Sequence, residues 1–424
     1  MRFGPSPGDA SRFVSAWSDV AGVGRDHLRG GYSRHAFDDP EMQLRQWFAE
    51  QAQRRGLEVE NDRNGNVWAW WGAPAPGAVV TGSHLDSVPG GGAFDGPLGV
   101  VSALLAVDEL RVRGITPARP LALACFLDEE GGRFGLPCLG SRLLTGAADA
   151  DHVRRLHDAD GMSLADAARR VGFDPSTMGP DPARLATIGA FVELHIEQGR
   201  LLRAVDPAAV VGVASEIVAH GRWRLTITGQ GNHAGTTAPA DRADPMIPAA
   251  AAVLAARRAL SGFDGAVATV GRIIPVPGGT NVIASAVSLW LDVRHADATV
   301  TAAVVDAIVA DVRAEAAAEG CTVMVQRESM SDRVTFDPGL GLEISGRLGV
   351  PVIPTAAGHD AGVFAAHVPT AMLFVRNPSG VSHAPDEHAD AADCVTGVQA
   401  LADVLETLVG DINPAARHVG AGDE

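Results

Sequence analysis

Lysine is absent from this chain: all 34 basic residues are arginines, set against 51 acidic ones, for a formal net charge of −17. So acidic a balance excludes nucleic acid and anionic membrane as partners, since both require positive surface. Cysteine is scarce. The four present, Cys125, Cys138, Cys321 and Cys394, are scattered without a CxxC pair, which excludes a disulfide framework or a zinc knot and fits a reducing compartment. No apolar run approaches the roughly 20 residues that cross a bilayer. The alanine-rich stretch 248–256 is short and runs into Arg257 and Arg258. The opening MRFGPSPGDAS lacks the apolar segment of a secretory signal. Internal repeats and low-complexity linkers are also missing. The expectation is a soluble cytoplasmic protein.

What is present is ordinary for a globular enzyme: 46% hydrophobic and 20% charged residues over 424 positions, a length that predicts two domains. Residues 11–56 read as helical, with an amphipathic segment at 41–55 ended by Gly56. Short strands follow at 57–59 and 66–71, then an apolar strand at 78–81. Pro97 stands where a first helical residue belongs, and Leu98, Val101, Leu104 and Leu105 recur at helical spacing up to Gly114. Residues 120–127 are apolar on both faces, as a central strand covered on both sides requires. A helix near 163–171, capped by Ser163 and Asp166, precedes a strand at 190–194. From Glu216 the pattern changes to an alternating strand (222–228), a helix (245–260), strands at 267–274 and 287–294, a helix (299–319) and a strand (322–326). That order is the ferredoxin-like β-α-β-β-α-β plan. The predicted fold is therefore α/β: a mostly parallel-sheet catalytic domain of residues 1–215 and 331–424, interrupted by an α+β domain at 216–330. Strands near 352–353 and 370–375 and a helix at 393–409 complete the second part, and the tail after Pro414 reads as loose.

Chemistry-bearing residues gather at predicted strand ends, where open α/β sheets place their sites. VVTGSHLDSVPGGGAFDG at 79–96 holds His84, Asp86 and Asp95. Later strands discharge into Asp128-Glu129-Glu130, His195, and Ser382-His383. The glycine run at 90–92 is no phosphate loop, since both GxGxxG and GK[ST] are missing. A pair of divalent metals needs a bridging carboxylate with terminal nitrogen and oxygen ligands, and His84, Asp95, Glu130, His195 and His383 provide such a set. Neutral imidazoles and carboxylates suit zinc or manganese. Asp86 is placed to orient the His84 ring, and Glu129, left over beside Glu130, suits a general base. Each feature has a plainer reading as a surface histidine, a solvated acid pair or a turn. Their agreement at four strand ends argues otherwise.

GSHLDSVPGGGAFDG, FLDEEGGRFGLPCLGSR, FVELHIEQG, GQGNHAGTT, AAGHDAGVF and VSHAPDEH occur in this order. Together they resemble the M20-type metallopeptidase superfamily, in its amidohydrolase branch of allantoate amidohydrolases, N-carbamoyl-L-amino acid hydrolases and β-ureidopropionases. The likeness runs from about Gly31 to Val409. It implies two divalent ions per subunit (zinc or manganese, with cobalt or nickel accepted), bridged by Asp95. One ion is then held also by His84 and His195, the other by Glu130 and His383, with Glu129 as base. A histidine at 195 favours this branch over aminopeptidases. The resemblance further implies a lid and homodimerisation role for the inserted domain. His233, Asn281 and Arg294 of that domain, with Gln198, Gly358 and His359, would then meet a small-molecule substrate. Arg294 would grip its carboxylate and His233 the developing oxyanion. Two departures stand out: NVIAS replaces NVIPG, and Cys138, read as a packing residue, lies near the site. The motifs VGVAS, HGRWR and MLFVRNPSGVSHAPDEH favour allantoate, hydrolysed to ureidoglycine, ammonia and carbon dioxide. N-carbamoyl-L-amino acids are the alternative substrate, with a dipeptidase, an aminoacylase or a non-catalytic binding dimer behind them.

Overall fold

In the computed structural model, residues 7–410 are described; the tail after Pro414 lies outside them. The chain divides into two compact units, one of residues 1–215 and 335–424, the other of residues 216–334. Among the described residues no helix is long and apolar enough to cross a membrane.

Strands β1 (Glu58–Asn61), β2 (Val67–Trp71), β3 (Ala78–His84), β4 (Leu121–Phe126), β5 (Ile188–Ile196) and β6 (Val211–Ile217) open the first unit. The second unit contributes β7 (Ala219–Thr228), β8 (Asn232–His233), β9 (Val267–Val276), β10 (Val282–Ile283), β11 (Ala286–His295) and β12 (Thr322–Ser331). After these come β13 (Val334–Thr335), β14 (Val352–Thr355) and β15 (Thr370–Val375). The large sheet has the order β1-β2-β4-β3-β5-β15-β6-β13, with β14 beside β6. Its centre, β4-β3-β5-β15, is parallel throughout, while β2 and β6 flank it antiparallel. Every residue of β3, β4 and β15 is buried, which accounts for the apolar runs at 78–80, 121–126 and 371–375. The helices Pro97–Val112 and Ala391–Val409 pack in one core with β3 and β5. A second cluster, including Phe37, Leu127, Leu139 and Leu164, forms apart from it. All four central strands run the same way, so their carboxyl ends meet at one edge.

Two sequence expectations for this unit change. Residues 11–56 are not one helical region: the helices are Pro7–Ala21 and Asp39–Arg54, and 22–38 is irregular. Gly24, Gly30 and Gly31 adopt positive φ there, a conformation that ends a helix. Strand β6 went unpredicted, because its VGVASEI reads as neither a clear alternation nor a long apolar run.

The second unit is an antiparallel sheet in the order β12-β7-β11-β9. Leu225 and Ile227 of β7 and Val287, Leu289, Leu291 and Val293 of β11 face a core shared with the helices Met246–Ala259 and Ala298–Ala318. Alternation along β11 is complete, each buried residue following a half-buried one.

Candidate metal centre

The carboxyl edge of the parallel strands carries the site. His84 is the last residue of β3 and His195 the penultimate residue of β5; both are fully buried. Glu129 and Glu130 follow β4, and His383 follows β15. Asp95 comes from the turn before the helix Pro97–Val112 and stands between two groups. Its Oδ1 lies 3.7 Å from His84 Nε2 and 3.2 Å from His195 Nε2. Its Oδ2 lies 3.3 Å from His383 Nε2, which is itself 3.4 Å from Glu130 Oε2. His84–Asp95–His195 and Asp95–Glu130–His383 are thus two donor clusters that share one carboxylate.

The backbone makes this meeting possible. Gly96 has φ +86, and a Cβ there would come within 2.4 Å of the His84 ring. Gly96→Ala is therefore expected to cost roughly 1–3 kcal/mol in chemical denaturation and to weaken metal uptake; wild-type values in both would refute the close approach. Asp86 meets the His84 ring with both its backbone and its side chain. The His84 ring Nδ1 meets the Asp86 backbone carbonyl at 3.1 Å, with the carboxylate farther away at 3.5 Å. That carboxylate also accepts the amides of Glu129 (3.1 Å) and Glu130 (3.0 Å), holding the two acids in place. The His195 Nδ1 faces the Ile196 carbonyl at 2.9 Å, so in both buried histidines Nε2 points at Asp95.

Burial and crowding set the charges. Burial raises the Glu129 carboxyl well above the usual range, helped by Asp360, Glu130 and Glu193 and opposed by His84. Burial and Asp95 push Glu130 up to about 7. Burial opposes a charged His84, yet Glu129 and Asp86 hold it well above the ordinary imidazole range. For His383 burial is likewise outweighed, by Asp95 and Glu130, and its value rises to about 9. Asp95 lies well below its normal value because the His195 and His383 imidazoles outweigh its burial.

The residues fit a metal. His84 Nε2, His195 Nε2 and Glu130 Oε1 are buried without a hydrogen-bonding partner, and each belongs to one of the two clusters. Unpartnered buried polar atoms are costly, and several acids converging on imidazole nitrogens need a cation to offset their repulsion. The donors are nitrogen and oxygen only, which suits zinc or manganese better than a thiolate-seeking ion.

The other expected residues are distributed as follows. Gln198 Nε2 donates to Asp95 Oδ2 at 2.7 Å and lies 3.2 Å from His383 Nε2. His359 is buried, its Nδ1 4.0 Å from Glu129 Oε1 and its ring 4.5 Å from that of His195. Gly358 is exposed in the turn just before it. Cys138 Sγ sits 3.7 Å from Glu129 Oε1 and is buried, in keeping with packing. In the second unit His233 of β8 pairs with Val282 of β10, and Ala234 N donates to the Asn281 carbonyl, so His233 and Asn281 are neighbours. Arg294 is not with them. It lies at the far end of β11, eight residues beyond Ala286 or about 27 Å at 3.4 Å per residue, with its Nε 2.7 Å from Asp292 Oδ1. Sequence reading missed Glu387, whose Oε1 accepts the amides of Phe94 (2.7 Å) and Asp95 (2.9 Å). Its only signal was membership of VSHAPDEH.

Known proteins share this plan. The profile of the Peptidase family M20/M25/M40 matches residues 80–407. The N-carbamoyl-L-amino acid amidohydrolase of Geobacillus stearothermophilus is 35% identical over 88% of this chain and 92% of its own length. The allantoate amidohydrolase of Escherichia coli (strain K12) is 33% identical over 89% of this chain and 93% of its own. The crystal structure of an amidase of the hydantoinase/carbamoylase family from Burkholderia vietnamiensis superposes with a TM-score of 0.84 at 29% identity, covering 94% of this chain and 97% of that one. Family, fold and donor set agree: the chain belongs to the M20/M25/M40 peptidase family, in its amidohydrolase branch, and is a metal-dependent hydrolase of C–N bonds.

Proposed function

We propose that the protein hydrolyses a ureido or carbamoyl C–N bond in a small carboxylate-bearing substrate, with allantoate as the first choice. The observation that carries this reading is the sharing of Asp95 between two donor clusters. Two ions would be held, one by His84, Asp95 and His195 and the other by Asp95, Glu130 and His383. When bound, they supply Lewis acidity that polarises the substrate carbonyl and acidifies water.

The chain's own residues do the rest. Glu129, whose carboxylate stands 3.7 Å from His84 Nε2 without a direct hydrogen bond to it, takes the proton of the attacking water. It then returns that proton to the leaving nitrogen. Gln198 and His359 line the approach, with Gly358 leaving room for the substrate. The inserted unit acts as a lid: Arg294 grips the carboxylate, already oriented by Asp292, and His233 with Asn281 donates to the oxyanion. Since Arg294 and the His233–Asn281 pair stand at opposite ends of β11, one small substrate cannot meet both from a single copy. That separation supports a homodimer in which each site draws on two chains. The edge strand β9 and the helix Met246–Ala259 offer apolar surface for it, with Val267, Ile273, Val276 and Leu254 exposed.

N-carbamoyl-L-amino acids are the second reading, favoured by the 35% identical relative. Ammonia release from allantoate, measured beside a panel of N-carbamoyl-L-amino acids after reloading with zinc or manganese, decides between them. Turnover of the panel alone overturns the allantoate choice. Arg294→Ala is expected to raise KM roughly 10- to 100-fold for either substrate, the loss of a charge-assisted hydrogen bond. An unchanged KM would remove Arg294 from the carboxylate grip.

A further inference from the structure

We infer that Glu387 is the positioning residue of the metal centre: it sets the backbone of Asp95, and so the orientation of the shared carboxylate. This rests on the two-cluster reading above. Glu387 is buried, and its Oε1 accepts both the Phe94 and the Asp95 amide, at 2.7 and 2.9 Å. These amides lie in the turn that leads into the helix Pro97–Val112, just ahead of its N-cap Gly96. A carboxylate from 292 residues further along the chain occupies them.

The other Glu387 oxygen closes a loop. Ser382 Oγ, with one proton to give, lies 3.1 Å from Asp95 Oδ2 and, farther off, 3.3 Å from Glu387 Oε2. Asp95 is thereby held twice, through its backbone by Glu387 and through its carboxylate by Ser382. Room for the arrangement comes from Gly92, where a Cβ would meet the Glu387 carboxylate carbon at 2.2 Å. One short segment, 382–387, therefore delivers His383 to the second cluster and fixes the carboxylate common to both. A ligand's hydrogen-bonded supports commonly govern metal affinity, and losing one typically costs 10- to 100-fold.

The test is calorimetric titration of zinc into chelator-stripped wild type, Glu387→Ala, Glu387→Gln and Gly92→Ala, with cobalt spectra of each loaded protein. Glu387→Ala is expected to bind about 10- to 100-fold more weakly and to shift the cobalt d–d bands. Glu387→Gln retains an oxygen that accepts the same two amides and should recover wild-type affinity and spectrum. Gly92→Ala displaces the carboxylate without removing it and should reproduce the alanine defect, which guards against misfolding of Glu387→Ala as the cause. Unchanged affinity in both Glu387→Ala and Gly92→Ala overturns the proposal, as does a Gln variant as weak as the Ala variant. Wild type that takes up a single ion sinks the two-ion reading separately. Even then, Glu387→Ala must weaken that ion, because Asp95 belongs to both clusters.

Discussion

Glu129→Gln will keep its metal and lose roughly 100- to 10,000-fold in kcat, the range for removing a positioned general base. The amide is nearly isosteric, and Cys138 and His359 still surround it, so substrate binding and fold should survive. The contrast between intact metal content and collapsed turnover is what identifies a base. A ligand would lose both together. Turnover close to wild type in this variant would remove Glu129 from the chemistry and shift attention to His359, a buried histidine whose Nδ1 lies 4.0 Å from it.

Asp95→Ala should be more severe, because each donor cluster loses a member at once. Metal content is expected to fall towards zero and activity to background, whereas His383→Ala should leave the His84–Asp95–His195 cluster able to hold an ion. Elemental analysis after gel filtration separates the cases; equal residual metal in the two variants would refute the bridge. The metal also contributes to folding. Saturation at about 1,000-fold over Kd stabilises a native state by about 4 kcal/mol, so chelation should lower the melting temperature by a matching amount. Uptake must be pH-dependent. Without metal, His383 keeps its proton up to about 9 and His84 is likewise raised, while a ligand nitrogen must be neutral. Binding therefore releases protons, and apparent affinity weakens as pH falls below about 9.

The parallel strands and the candidate residues at their ends were legible because burial on both faces writes apolar runs, and polar or charged residues gather where those runs give out. His84, Glu129 and His195 are visible for that reason. The strands at 222–228 and 287–294 were legible from alternation, since one face of that sheet is buried and the other is not. Less visible was anything that depends on a partner distant in sequence. Glu387 looks like one more acid in a loop until folding brings it to the amides of Phe94 and Asp95. The same holds for the second task of Asp86, whose carboxylate, beside the histidine two residues away, also holds the amides of Glu129 and Glu130. The separation of Arg294 from Asn281 followed from strand register, which periodicity alone does not provide. The irregular stretch 22–38 was overwritten by the helical composition on both sides of it.

Strand β15 has a consequence for how the protein is made. Between β5 and the antiparallel strand β6 the sheet is completed by a segment that leaves the ribosome only after the whole inserted unit. Until residues 370–375 emerge, one edge of β5 has no partner, and an open edge is a template for pairing with other chains. The donors follow the same schedule. His84, Asp95 and His195 are all synthesised before the insertion begins, but His383 and Glu387 arrive near the end. A nascent chain can thus assemble one cluster early, while the second, and the anchor of the carboxylate they share, await the last strand.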